Sequence, residues 1–168
     1  MKITNKTTWL ALSLIVAVVG CENSIEFSDF GDKKLKIRES QLAGTVEGKS
    51  WEMRHGQARL RAEGLELLFS SEEFESAGCQ AFLTSPQMLW ISVKASKVGE
   101  YDLSYITDEG SASVSSTNDD FAQVIFVKSG RVIIEDITDF EVSGRLVAYA
   151  DEGTQMSGTF TVPLCESF

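Results

Sequence analysis

Apolar and polar residues alternate along most of this chain, and a glycine-bearing turn interrupts them about every 8–12 residues, a pattern that β-strands satisfy and helices do not. Residues 45–51, Thr45-Val46-Glu47-Gly48-Lys49-Ser50-Trp51, read as strand, X-Gly turn, strand. Gly48 supplies the positive φ that such a turn requires. Trp51 and Met53 then alternate with Glu52 and Arg54. Residues 57–62 and 65–70 flank Glu63-Gly64, with Leu65, Leu67 and Phe69 on one face. Residues 80–84 read as a short strand ending before Pro86. In 88–95, Leu89, Ile91 and Val93 take one face, and Trp90 and Ser92 the other. Lys97-Val98-Gly99-Glu100 turns the chain into a strand over 101–106. Two further hairpins are expected, 121–127 with 131–135 around Ser129-Gly130, and 140–150 with 154–164 around Asp151-Glu152-Gly153. In the last strand Met156, Gly158, Phe160, Val162 and Leu164 share a face. Pro163, lacking an N–H, suits a strand end or an edge.

Two stretches break the pattern. Residues 71–78 are acidic and irregular, and the Ser-rich residues 107–120 read as a long polar loop. The sum is roughly nine to eleven strands and no helix after residue 20. The expected fold is all-β, an antiparallel β-sandwich or jelly-roll-like domain over residues 41–168, with an up-and-down β-barrel as the alternative.

The 168 residues carry 15 basic and 25 acidic side chains, a net charge of −10. An acidic surface argues against nucleic acid, because phosphate binding needs clustered Lys and Arg. Acidity also keeps a domain soluble and unassociated.

The N-terminus carries a different signal. Lys2 and Lys6 precede an apolar run from Thr8 to Val19, about a dozen residues, which suits a secretory h-region and falls short of the roughly 20 residues that span a bilayer. The run ends in Val18-Val19-Gly20-Cys21. That tetrapeptide resembles the lipobox of bacterial lipoproteins. The resemblance implies removal of residues 1–20, a diacylglyceryl thioether on Cys21 and acylation of the new amine. Three acyl chains, at about 0.8 kcal/mol per buried CH₂, would anchor the chain firmly in a membrane. Glu22, rather than Asp, follows the cysteine. In lipoproteins of Gram-negative bacteria this implies the outer membrane, on its periplasmic face or at the cell surface. The mature chain would hold 148 residues with 13 basic and 25 acidic side chains, since residues 1–20 contain two lysines and no acid, leaving a net charge of −12.

Residues 21–40 read as the acylated N-terminus and a tether, which could reach roughly 60 Å if extended. Phe27, Phe30, Leu35 and Ile37 are the residues that would dock part of it on the domain. With Cys21 consumed by the anchor, Cys79 and Cys165 remain, and an even pair in an oxidising compartment points to a disulfide. A Cys nucleophile or a metal pair is the alternative.

Candidate chemistry is sparse. His55 is the single histidine, which excludes multi-His zinc sites and leaves any Ser-His-Asp triad only this base. No G-x-S-x-G is present. Glu72-Glu73-x-Glu75, Asp119-Asp120, Asp136-x-x-Asp139 and Asp151-Glu152 could supply the paired carboxylates of a hydrolase, but read first as solvated loop charges. Asn118, Asp119 and Asp120 are weak candidates for a loop calcium site, without EF-hand spacing. Gly48-Lys49-Ser50-Trp51 approaches the G-x-W of lipocalins with one residue more, so a carrier of a small apolar ligand is a further alternative.

Gly44 to Trp51, Gly99-Glu100-Tyr101-Asp102-Leu103 and Ser157 to Cys165 together resemble a group of small bacterial lipoproteins that open with a G-x-V-x-G-K-x-W hairpin, carry a G-E-Y turn and end in a G-T-F strand. The resemblance implies a β-sandwich outer-membrane lipoprotein and carries over no catalytic residue. The expectation is therefore a non-enzymatic envelope module without a cofactor. It would be held to the membrane by its lipid and would either bind an envelope protein, a glycan or a small molecule or serve a structural role in the envelope. An exposed patch around Trp51 or Trp90 is the expected contact.

Overall fold

A computed structural model describes residues 35–73, 79, 87–94, 96–105, 108–117 and 123–165, together with the backbone of 25–27, 118 and 121–122. The strands are β1 (Ile25–Phe27), β2 (Leu35–Ile37), β3 (Ala43–Val46), β4 (Lys49–Glu52), β5 (His55–Arg61), β6 (Gly64–Ser70), β7 (Gln87–Val93), β8 (Gly99–Leu103), β9 (Gly110–Asn118), β10 (Phe121–Phe126), β11 (Ser129–Ile137), β12 (Glu141–Asp151) and β13 (Thr154–Cys165). No helix occurs among the described residues. Eleven strands make one curled sheet in the order β10-β9-β7-β6-β5-β13-β12-β11-β8, with β3 on β13 and β4 on β3. β1 and β2 pair separately.

The sheet is mixed, which corrects the expected purely antiparallel arrangement. β13 runs antiparallel to β12 and β3, and then its end pairs in parallel with β5, Leu164 with Ala58 and Cys165 with Arg59. At twelve residues β13 is long enough to leave one set of neighbours and join another.

A second run does the same. The expected 121–127/131–135 hairpin does not form, because β10 pairs with β9 and β11 pairs with β12 and β8. The ladder changes partner between Val127, whose N–H donates to the Ala112 carbonyl at 3.0 Å, and Lys128, whose N–H donates to the Tyr149 carbonyl at 2.9 Å. Ser129-Gly130 is not a turn; it lies inside β11 opposite Tyr149 and Ala148. Gly130 is there for space, since a Cβ would stand 2.5 Å from the Val147 carbonyl oxygen.

Residues 110–118, expected in a loop, form the nine-residue β9 between β7 and β10. Ala112, Val114 and Ser116 are its buried face. The alternation was present, but in residues too small to mark it. The 45–51 hairpin forms as read, and Glu47 and Gly48 both take positive φ, 50° and 76°. The 154–164 strand and its turn also form as read.

The inner faces meet in one core. Leu42, Val46, Trp51, Leu67, Phe69 and Leu89 join Val132, Ile134, Leu146, Phe160 and Val162, all buried. Phe69 of β6 and Phe160 of β13 touch edge to face with ring centroids 5.1 Å apart. Each fully buried side chain of this size contributes about 1.5–3 kcal/mol relative to exposure.

Residues 35–42 are seated on the domain. Ile37 is buried against Ile133 and Val147 on the outer face of β11 and β12. The Ser157 hydroxyl donates to the Lys36 carbonyl at 2.8 Å and accepts from the Arg38 N–H at 2.9 Å. Beside this strap the outer face carries cross-strand ion pairs, Arg131 with Asp102 at 2.8 Å and Arg145 with Glu135 at 2.6 Å.

Candidate functional site

The candidate site grows from the strand pairing at one end of the sheet. Where the run from β10 to β11 changes partner, β10 stays with β9 while β12 continues past it to Asp151. A groove of about 460 Å³ opens there, with the apolar Tyr105, Val124 and Phe126 and the charged Lys128, Glu47 and Asp151 among its lining residues. Val124 and Phe126 are two apart on β10 and therefore share a face. They are 55% and 62% exposed, and Tyr105 is 64% exposed. Three large apolar groups around one groove form a patch, which singly scattered ones would not.

The two acidic lining residues sit at turns. The β3–β4 turn is tied to the β12–β13 turn by the Gly48 N–H donating to the Gly153 carbonyl at 2.8 Å. Glu47 donates its N–H to the Thr154 hydroxyl at 3.1 Å, and its carboxylate accepts from the buried Ser116 hydroxyl. Among the described residues Glu47 is the one non-glycine at positive φ. That φ of 50° belongs to the two-residue β3–β4 turn, in which Gly48 also takes positive φ. Asp151 accepts from the Gly153 N–H at 2.9 Å.

A second groove, about 670 Å³, lies where the strap crosses the outer face, between Lys36 and Arg38 and the side chains of Thr45, Gln155 and Ser157. The chain's own residues 35–38 already occupy its side.

The residues singled out in the sequence are dispersed. Cys79 and Cys165 come together, with sulfurs at 2.13 Å and Cα atoms 5.3 Å apart. Cys21, Glu75, Asp119 and Asp120 lie outside the described residues; Asn118 ends β9. No three His, Cys, Asp or Glu residues gather around a common point among the described residues. His55 starts β5 opposite Ser70 of β6, and burial holds its imidazole below the ordinary value. Glu72, Glu73, Asp136, Asp139, Asp151 and Glu152 are exposed, and Asp136 and Asp139 stand at the opposite end of β12 from Asp151.

Trp51 is not part of a surface patch. It is buried in the core, opposite Gly44, with its indole N–H directed at the Gln87 carbonyl at 3.5 Å. Trp90 is exposed on the outer face of β7. Tyr105, Val124 and Phe126 were missed, because a hairpin between 121–127 and 131–135 would have covered the edge of β10. The uncharged run Phe121-Ala122-Gln123-Val124-Ile125-Phe126 was the available signal.

No family model, no curated protein and no solved structure matches this chain.

Proposed function

We propose that this chain is a non-enzymatic binding module of the bacterial cell envelope, anchored in the outer membrane through lipid on Cys21 and engaging an envelope component through the groove beside β10. The exposed cluster of Tyr105, Val124 and Phe126 around that groove is the observation that carries the binding half of the reading. The order of Lys2 and Lys6, the apolar run and Gly20-Cys21 carries the anchor half.

The fold is best described as a flattened barrel or sandwich. β13 joins β12 to β5, and the 121–137 run joins β9 to β12, so both sides of the curled sheet are bridged by a shared strand. Contact between Phe69 and Phe160 across the interior favours a filled core over the open cavity that a lipocalin-like carrier needs. The acidic balance favours a protein or glycan partner over nucleic acid.

The test is site-specific photo-crosslinking in the envelope, with the photoreactive residue placed at Phe126 or, as control, at Phe140. Phe140 is 80% exposed and sits at the other end of β12. The reading expects a discrete adduct from position 126 and none from 140. Equal adducts at both positions, or none at 126, contradict it.

A further inference from the structure

We propose that the free edge of β10 accepts an extended, cationic segment of a partner polypeptide as an added strand, a claim that rests on the binding-module reading. Among the described residues β10 pairs only with β9, so its other side presents a row of main-chain N–H and C=O groups. Such edges template pairing with another chain, and folded proteins guard them with charges, bulges, prolines or covering segments.

The other strands at the sheet margins are guarded. β4 exposes Lys49, Ser50 and Glu52. On β8 the Asp102 N–H donates to the Glu109 carboxylate at 3.4 Å, and the following Ser104 N–H donates to the Gly110 carbonyl at 3.2 Å.

Among the described residues β10 has none of these devices. Its pairing with β9 runs from Phe121 to Phe126 without a register shift, and the six residues contain no charge, proline or glycine. That composition favours strand addition. Six residues span about 20 Å, enough for main-chain bonds to fix a short peptide. Val124 and Phe126 then offer apolar contacts to alternate side chains of the added strand.

Charge decides between occupants. The groove holds two carboxylates, Glu47 and Asp151, against the single ammonium of Lys128, on a mature chain with 13 basic and 25 acidic side chains. A second copy of this chain would bring a second body of the same sign. A segment with lysine or arginine beside its apolar residues gains where the copy loses.

The probe is a synthetic peptide of about eight residues, alternating valine and threonine, with two lysines at one end; a twin carries two glutamates instead. Binding to the full mature chain is followed by fluorescence anisotropy at low salt. The lysine peptide is expected to bind about tenfold or more tightly than its twin, and Val124→Lys or Phe126→Lys to weaken it by a similar factor. Both variants alter exposed side chains, so unchanged thermal transitions separate lost binding from lost fold. Glu47→Gln with Asp151→Asn should remove most of the preference for lysine. Equal binding of both peptides, indifference to both lysine variants, or self-association of the chain that Val124→Lys abolishes would each overturn the proposal. If the peptides fail while the position-126 crosslink persists, strand addition falls and the binding module stands. If both fail, the binding reading falls too.

Discussion

Removing the bond between Cys79 and Cys165 should cost this domain a large share of its stability. The cysteines are 86 positions apart, and closing a loop of that length restricts the unfolded chain by about 4–5 kcal/mol in the entropy model. The bond also holds a weak place in the fold. Cys165 ends β13, whose parallel pairing with β5 is two residue pairs long. Without the crosslink, the end of β13 is kept on β5 by the pairs at Ala58 and Arg59 alone, with the Leu164 N–H donating to the Phe140 carbonyl at 2.7 Å on its other side. A domain of about 130 residues has an unfolding entropy of about 0.27 kcal/mol/K near its midpoint, so the loss corresponds to a fall in Tm of about 16 °C. The assay is a thermal melt of the oxidised chain against the Cys79→Ala/Cys165→Ala variant, with reductant added to the oxidised chain as a third sample. The variant and the reduced chain should melt together, well below the oxidised chain. A variant within about 3 °C of the oxidised chain would refute the loop-closure argument, because the expected shift is about five times larger.

Other expectations follow from single positions. Gly158 has φ of 151°, and a Cβ there would stand 2.6 Å from both the Leu42 Cα and the Ser40 carbonyl oxygen; Gly158→Ala should cost about 2–4 kcal/mol in denaturant unfolding. Ile37→Ala should release the strap locally, raising hydrogen exchange at residues 35–40 while the global Tm moves by only a few degrees. Burial holds His55 below its ordinary value of 6.5, so the unfolded chain binds its proton first as pH falls. That contribution to stability is therefore complete above about pH 7 and is lost as pH drops through 6.5 toward the lower folded value; His55→Gln should remove the dependence between pH 7 and 5.5, read from denaturant midpoints.

Turn chemistry made the local hairpins legible. Glu47-Gly48 and Asp151-Glu152-Gly153 sit where the chain reverses, because positive φ and tight reversal demand glycine nearby. Strand faces were legible wherever large residues alternate, as at Leu89, Ile91 and Val93. β9 was not legible, because it is held by ladder bonds on both sides and buries only Ala112, Val114 and Ser116. Gly130 misled for a physical reason: a glycine between strands serves close approach of backbones as well as reversal, and sequence does not distinguish the two uses. The parallel contact of β13 with β5 joins residues about a hundred positions apart, beyond the reach of any local pattern. The groove beside β10 was hidden for a different reason, the choice of β9 over β11 as the partner of β10. Its lining residues could be seen in the sequence as apolar, but their exposure followed only once β10 was known to pair with β9 and not with β11.

The anchored module is tested most directly by the intact mass of the full chain produced in a Gram-negative host and recovered from its envelope. The account predicts a chain that begins at Cys21 and carries a diacylglyceryl group and an amide-linked acyl chain, two hydrogens lighter for the Cys79–Cys165 bond. A chain that retains residues 1–20, or a processed chain without acyl mass, would contradict it.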